Sequence, residues 1–193
     1  MDQGCLRKLV GTPELRSCSH DLAPLKPLDA LGDKLKLYRH YPRAMVQELF
    51  SVTPDPAQID ALDVFPHAAR LAMQSCTGAG KTATLAWLGW NFLLTRESPM
   101  IGAAAVTRTN LDANLWPELA RWYGKCELLQ RLFEIVSDEI CLREQPSTSM
   151  LKVRAWRQDA DANQIGNALR GLHAPYVMWL LAWIMRGGLA DVA

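Results

Sequence analysis

Gln74-Ser75-Cys76-Thr77-Gly78-Ala79-Gly80-Lys81-Thr82 is the stretch on which the reading of this chain turns. It follows a short apolar run, Leu71 to Gln74, which reads as a buried strand. It precedes a segment from Lys81 to about Thr95 whose apolar residues Leu85, Trp87, Leu88, Phe92 and Leu93 recur at helical spacing. A strand, a glycine-rich turn and a helix, in that order, are the setting of a phosphate-binding loop. Gly78 and Gly80 permit positive φ and a close approach of backbone to an anion. Successive N–H groups then face one concavity, and the start of the helix adds the positive end of its dipole. Ser75, Cys76, Thr77, Gly78, Ala79 and Gly80 form the expected cradle for ATP. Lys81 is expected to reach the β- and γ-phosphates, and the Thr82 hydroxyl to ligate Mg²⁺, which makes these two the candidate catalytic residues. The full pattern G-x-x-x-x-G-K-[ST] would have glycine where Ser75 stands, so the match is G-x-G-K-T with a degenerate first position.

Upstream, Thr53-Pro54-Asp55-Pro56 reads as a turn, with Asp55 capping a helix from Ala57 to about Val64 and Pro66 ending it. Leu31 to Phe50 is amphipathic and holds the most basic stretch of the chain: Lys34, Lys36, Arg39, His40 and Arg43. A solvated helix face is the ordinary reading of such a run, and a DNA-backbone or partner contact the sharper one. Residues 1–30 read as a flexible leader broken by Pro13, Pro24 and Pro27, leaving residues 31–193 for the folded domain.

Downstream, Met100 to Val106 reads as a second buried strand, and a helix follows from Asn110 or Asp112 through Trp122, closed by Gly124. Glu139 to Arg143 and Met150 to Trp156 alternate apolar and polar residues, as an antiparallel hairpin does. Ala160 to Leu169 reads as a short helix and Tyr176 to Leu181 as a third buried strand. Strands alternating with helices predict an α/β fold, a parallel sheet flanked by helices on both faces.

Composition narrows the classes. The net charge is +1, so any claim on nucleic acid has to rest on local features. The five cysteines are odd in number and never spaced C-x-x-C, which argues against a disulfide framework or structural zinc and for a reducing compartment. The longest apolar run, Tyr176 to Met185, is half of the roughly 20 residues a bilayer span needs, so no membrane association is expected.

From Pro54 to Leu181 the chain resembles the N-terminal ATPase domain of phage terminase large subunits, the DNA-packaging motors. Pro54-Asp55-Pro56-Ala57-Gln58 resembles the family's adenine segment, in which Gln58 would bond the adenine edge. Lys81 to Trp90 resembles its aromatic-rich helix, in which Trp87 and Trp90 read as core packing. Ala103 to Thr109 and Asn114 to Leu119 resemble its second strand and helix, with Arg108 near the ligand side of the sheet. The resemblance implies a P-loop NTPase of the RecA/ASCE kind, with ATP and Mg²⁺ as cofactors. It also implies double-stranded phage DNA, a small terminase subunit and the portal as partners, a homo-oligomeric ring in the parent motor, and residence in the bacterial host cytoplasm.

Leu169 to Ala174 and Tyr176 to Leu181 resemble the run into the family's Walker B strand, whose acids would come next. Ala182 and Trp183 stand there instead. Without those acids, phosphate binding on the loop is expected to survive while metal and general-base chemistry are impaired. Read one base out of frame from the Ala182 codon, the Ala182-Trp183-Ile184-Met185 codons yield an apolar residue followed by Asp. The expectation is therefore an ATPase domain that is incomplete at its C-terminus, a truncated or frameshifted remnant lacking the nuclease domain. The alternatives are a helicase-like P-loop ATPase and a non-catalytic nucleotide-binding or interaction fragment.

Overall fold

Prolines and caps set the first helices. In the computed structural model, which describes residues 27–74, 78–105, 109, 111–137, 139–155 and 173–182, the amphipathic stretch splits into α1 (Pro27–His40) and α2 (Pro42–Phe50). Pro42 has no N–H to continue α1 and instead starts α2. Helix α1 begins at Pro27, inside the stretch expected as leader. Helix α3 (Pro56–Val64) starts as expected on Asp55, with Pro56 in its first turn. Its cap is reciprocal: Asp55 Oδ1 accepts from the Gln58 N–H at 2.9 Å, and Gln58 Oε1 accepts from the Asp55 N–H at 3.0 Å.

Helix α4 (Lys81–Thr95) matches the expected helix and is the spine of the core. Every residue from Ala86 to Leu94 is buried, so the helix is covered on all sides. Trp87 and Trp90 are core residues, 1% and 0% exposed. Trp87 meets Trp122 edge-on at 5.3 Å between ring centroids, and Trp90 meets Phe133 in the same manner at 5.7 Å. An aromatic side chain of this size buries about 150–250 Å², about 4–6 kcal/mol of transfer free energy each. Trp90 Nε1 also donates to the Leu119 carbonyl at 3.2 Å, so its polar atom is satisfied inside the core.

The sheet has five strands in the order β2-β3-β4-β1-β5. The central strand β1 (Pro99–Ala105) pairs in parallel with β4 (Met150–Ala155) on one side and β5 (Tyr176–Ala182) on the other. Strands β2 (Phe133–Val136) and β3 (Glu139–Leu142) extend the sheet in antiparallel fashion. The β3–β4 pair is the expected hairpin, with Glu139 opposite Lys152 and an ion pair of 2.9 Å joining them. Close packing across the sheet selects small residues on β1, because a Cβ at Gly102 would overlap the Trp179 ring.

Four expectations need correction. The sheet is mixed rather than parallel, because the antiparallel β2–β3–β4 meander joins the parallel strands in one sheet. Leu71 to Gln74 is irregular, with Leu71 and Met73 half-buried and Ala72 and Gln74 exposed, not a buried strand. A strand requires a partner row of N–H and C=O groups, and this segment pairs with none among the described residues. Strand β5 is an edge among the described residues: Leu180 is buried, whereas Val177 is 39% exposed. The helix before Gly124 opens as a π-helical turn, Leu111–Leu115, then runs as α5 (Trp116–Lys125). Gly124 lies inside it without positive φ, and Cys126, in extended conformation, ends it. Pro117 gives no N–H to an α-type bond, which fits the wider turn before it. A short helix, α6 (Glu127–Leu132), leads into β2. The expected leader before Pro27, the helix Ala160 to Leu169 and the tail from Trp183 lie outside the described residues.

Candidate functional site

Two glycines turn the chain into α4. Gly78 and Gly80 have φ of 86° and 71°, the left-handed region that glycine enters without cost and other residues rarely adopt. Gly80 is the residue from which α4 starts, and Lys81 is its first helical residue. No side chain among the described residues caps this helix start. The N–H groups of a first helical turn have no partner within the helix, so they can donate to an acceptor that docks at the helix end. Lys81, Thr82 and Ala83 are half-buried there. Ser75, Cys76 and Thr77, the rest of the expected cradle, lie outside the described residues, as do Thr107 and Arg108.

The Gly80 carbonyl is a point of convergence. It accepts from the Thr84 N–H at 3.0 Å, the Thr84 hydroxyl at 3.1 Å and Gln58 Nε2 at 3.3 Å. Gln58 thus ties the start of α3 to the start of α4: its oxygen completes the Asp55 cap while its nitrogen holds the glycine turn. A Cβ at Gly80 would overlap Gln58 Nε2, so the turn needs glycine for space as well as for φ. Among the described residues the amide uses one N–H and one lone pair. Sequence reasoning missed this link. The pattern Asp55-x-x-Gln58 is a capping-box signature and could have revealed half of it.

A groove runs beside this junction. Ala57, Ala61, Val64, Leu71 and Met73 supply its apolar lining, and Gln58 and Lys81 are among its polar members. Among the described residues no group of three or more His, Cys, Asp or Glu side chains is gathered as a metal site. Thr82 is the one expected metal ligand that the described residues include.

The basic stretch on α1 and α2 is largely matched by acids. Lys34 pairs with Glu48 at 2.9 Å, Lys36 with Asp33 at 3.1 Å and Arg43 with Asp63 at 3.9 Å. Hydrogen bonds from Lys34 and from the buried Tyr38 hydroxyl hold the Glu48 carboxyl below its ordinary range. Burial and the same contact push the Tyr38 hydroxyl well above its usual value. Most of this face therefore follows the ordinary reading, a solvated and neutralised helix surface. Arg39 is different, and lies over the Tyr176 ring. No helix among the described residues is long and apolar enough to cross a membrane.

No family model matches this sequence, and no curated protein matches it. The fold is similar to that in the crystal structure of the HK97 bacteriophage large terminase, with a TM-score of 0.53 and 14% sequence identity. The match covers 75% of this chain and 37% of that one, so the chain spans a little over a third of that terminase's length. At this identity the likeness is one of fold.

Proposed function

We propose that this chain is a P-loop nucleotide-binding domain of the terminase ATPase type, with ATP as its ligand. The observation that carries the reading is the left-handed Gly78–Gly80 turn running into the uncapped start of α4, with Gln58 bonded to the Gly80 carbonyl. This arrangement fits a polyphosphate: the N–H groups of a first helical turn and the positive end of the helix dipole lie at the helix start, of which Lys81 is the first residue. The groove between α3 and Leu71–Met73 suits the apolar faces of a base, with the Gln58 amide at hand for its edge. Fold similarity to a phage large terminase supports the same assignment. The proposed nucleotide contacts are Gln58, Ser75, Cys76, Thr77, Gly78, Ala79, Gly80, Lys81 and Thr82.

In this reading Thr82 and phosphate oxygens hold Mg²⁺, which would neutralise charge on the transferred phosphate. Strand β5 ends at Ala182 and the next residue is Trp183, so neither Walker B position carries a carboxylate. Binding is therefore expected to exceed turnover. By the same analogy the domain works with double-stranded phage DNA, a small terminase subunit and the portal, in a ring of identical copies in the bacterial cytoplasm.

Titration of the full chain with ATP, with Lys81→Ala as control, tests the reading. Loss of a charged hydrogen bond to the phosphates should weaken ATP binding about tenfold or more. Equal affinity in the two chains would overturn it. Motor-like turnover that Lys81→Ala abolishes would show that another carboxylate replaces the missing acids.

A further inference from the structure

The peptide plane between Gly80 and Lys81 decides what the start of α4 offers to an anion. In a trans peptide the C=O and the following N–H point in opposite directions. With the Gly80 carbonyl turned into the helix, the Lys81 N–H points outward from its first turn. Half a rotation of that plane would present the carbonyl oxygen there instead, a negative pole facing a negative ligand. Glycine resists such a rotation least, and Gly80 is the residue at the plane, with φ of 71° and ψ of 12°.

Three donors hold the carbonyl in place. The Thr84 N–H at 3.0 Å is the ordinary helical bond. The Thr84 hydroxyl at 3.1 Å and Gln58 Nε2 at 3.3 Å are additional, and come from side chains of two different helices. Thr84 is 1% exposed, so its hydroxyl would lose this bond inside the core if the carbonyl turned away. Gln58 is oriented in its turn. The Asp55 N–H donates to Gln58 Oε1 at 3.0 Å, and the Gln58 N–H donates to Asp55 Oδ1 at 2.9 Å. An amide is planar, so fixing Oε1 on the cap aims Nε2 at the Gly80 carbonyl. A glutamine released from the cap would spread over its rotamers.

Resting on the reading of this loop as a polyphosphate cradle, we propose that Asp55 and Thr84 are positioning residues for it. They lock the Gly80–Lys81 peptide with its N–H toward the phosphates, Thr84 directly and Asp55 through Gln58. Asp55 is exposed and acidic, and its charge by itself would repel a polyphosphate. Any help it gives to phosphate binding therefore comes from the cap that it makes and not from its charge.

Calorimetric titration of the full chain with inorganic tripolyphosphate, at a temperature where every variant is folded, reads the loop without a base. Lys81→Ala should weaken binding about tenfold or more. Asp55→Ala and Thr84→Val should each weaken it about threefold to tenfold. Asp55→Asn keeps the cap and removes the charge, so it should bind at least as tightly as the parent. In the NMR spectrum of Asp55→Ala without ligand the Lys81 amide resonance should shift, whereas a cap that served helix stability alone would leave it in place. The two variants reach the carbonyl by separate routes, so either one decides if the other fails to fold. Parental affinity in Asp55→Ala or in Thr84→Val, alongside weakened binding in Lys81→Ala, overturns the positioning role and leaves the phosphate loop standing. A stationary Lys81 amide resonance, or Asp55→Asn binding as weakly as Asp55→Ala, also overturns it. Equal affinity in Lys81→Ala and the parent, or no binding by the parent, overturns the phosphate loop itself and the positioning role with it.

Discussion

The two ends of α4 handle the same problem in opposite ways. At its start, glycine backbone and a lysine adjoin N–H groups that no described side chain caps. At its end, Asn91, Thr95 and two aromatic rings bind Arg96 tightly, and the arginine faces the negative pole of the helix. The first end is built from backbone, which can approach a ligand closely because no side chain intervenes. The second is built from side chains locked into the core, which gives stability and a fixed charge. One helix thus carries an end left open by its local conformation and an end shaped by packing.

Substitutions at the two ends should separate these roles. The largest effect on stability is expected from Asn91→Ala. It strands the Tyr38 carbonyl and an Arg96 donor and leaves a cavity in the core, at a cost of about 2–3 kcal/mol. Urea unfolding measures this, while ATP affinity of the folded protein should stay near that of the parent. A parallel fall in affinity would mean that the two ends are not independent.

Gly80→Ala should cost about 1–2 kcal/mol, because alanine must take the left-handed conformation and displace Gln58. ATP binding should fall with it. A variant as stable as the parent would mean that the turn has another accessible shape. Gln58→Glu is a finer probe. Glutamate can serve the Asp55 cap as well as glutamine does, but it has no N–H for the Gly80 carbonyl. The expected loss is about 0.5–1.5 kcal/mol of stability, with a larger loss for ATP than for GTP. Equal losses for both nucleotides would make Gln58 purely structural.

The smallest effect is on pH dependence, at the α1–α2 contact that borders the Arg96 end. Lys34 and Tyr38 lower the folded-state pKa of Glu48 relative to the unfolded chain. Its contribution is therefore complete above the unfolded value, about 4.3, and disappears as pH falls through the lower folded value. Glu48→Gln should reduce stability slightly at pH 7 and show a shallower loss between about pH 5 and 3 in thermal melts. Identical acid profiles would remove Glu48 from the account.

Several elements are legible in the sequence because their signals are local. Asp55-Pro56 marks the start of α3, and helical spacing from Leu85 to Leu93 marks α4. Alternation marks the β3–β4 hairpin, and Gly78 and Gly80 stand where positive φ is used. Phe133–Val136 is not legible, because four residues offer too short an alternation and the strand exists by pairing with β3. Leu71 to Gln74 has strand-like apolarity, but no described edge pairs with it.

The sequence alone determined where α3 and α4 start and where the backbone turns left-handed. Each of these depends on the φ and ψ preferences of neighbouring residues and on side chains three or four positions apart. Tertiary structure alone decided that the sheet is mixed, that Gln58 joins α3 to the Gly80 carbonyl 22 residues away, and that Arg39 lies over the Tyr176 ring. These depend on the proximity of segments distant in the chain. That proximity follows from burying α4 on every side, because a helix without a polar face must be covered by whatever the rest of the chain can bring to it.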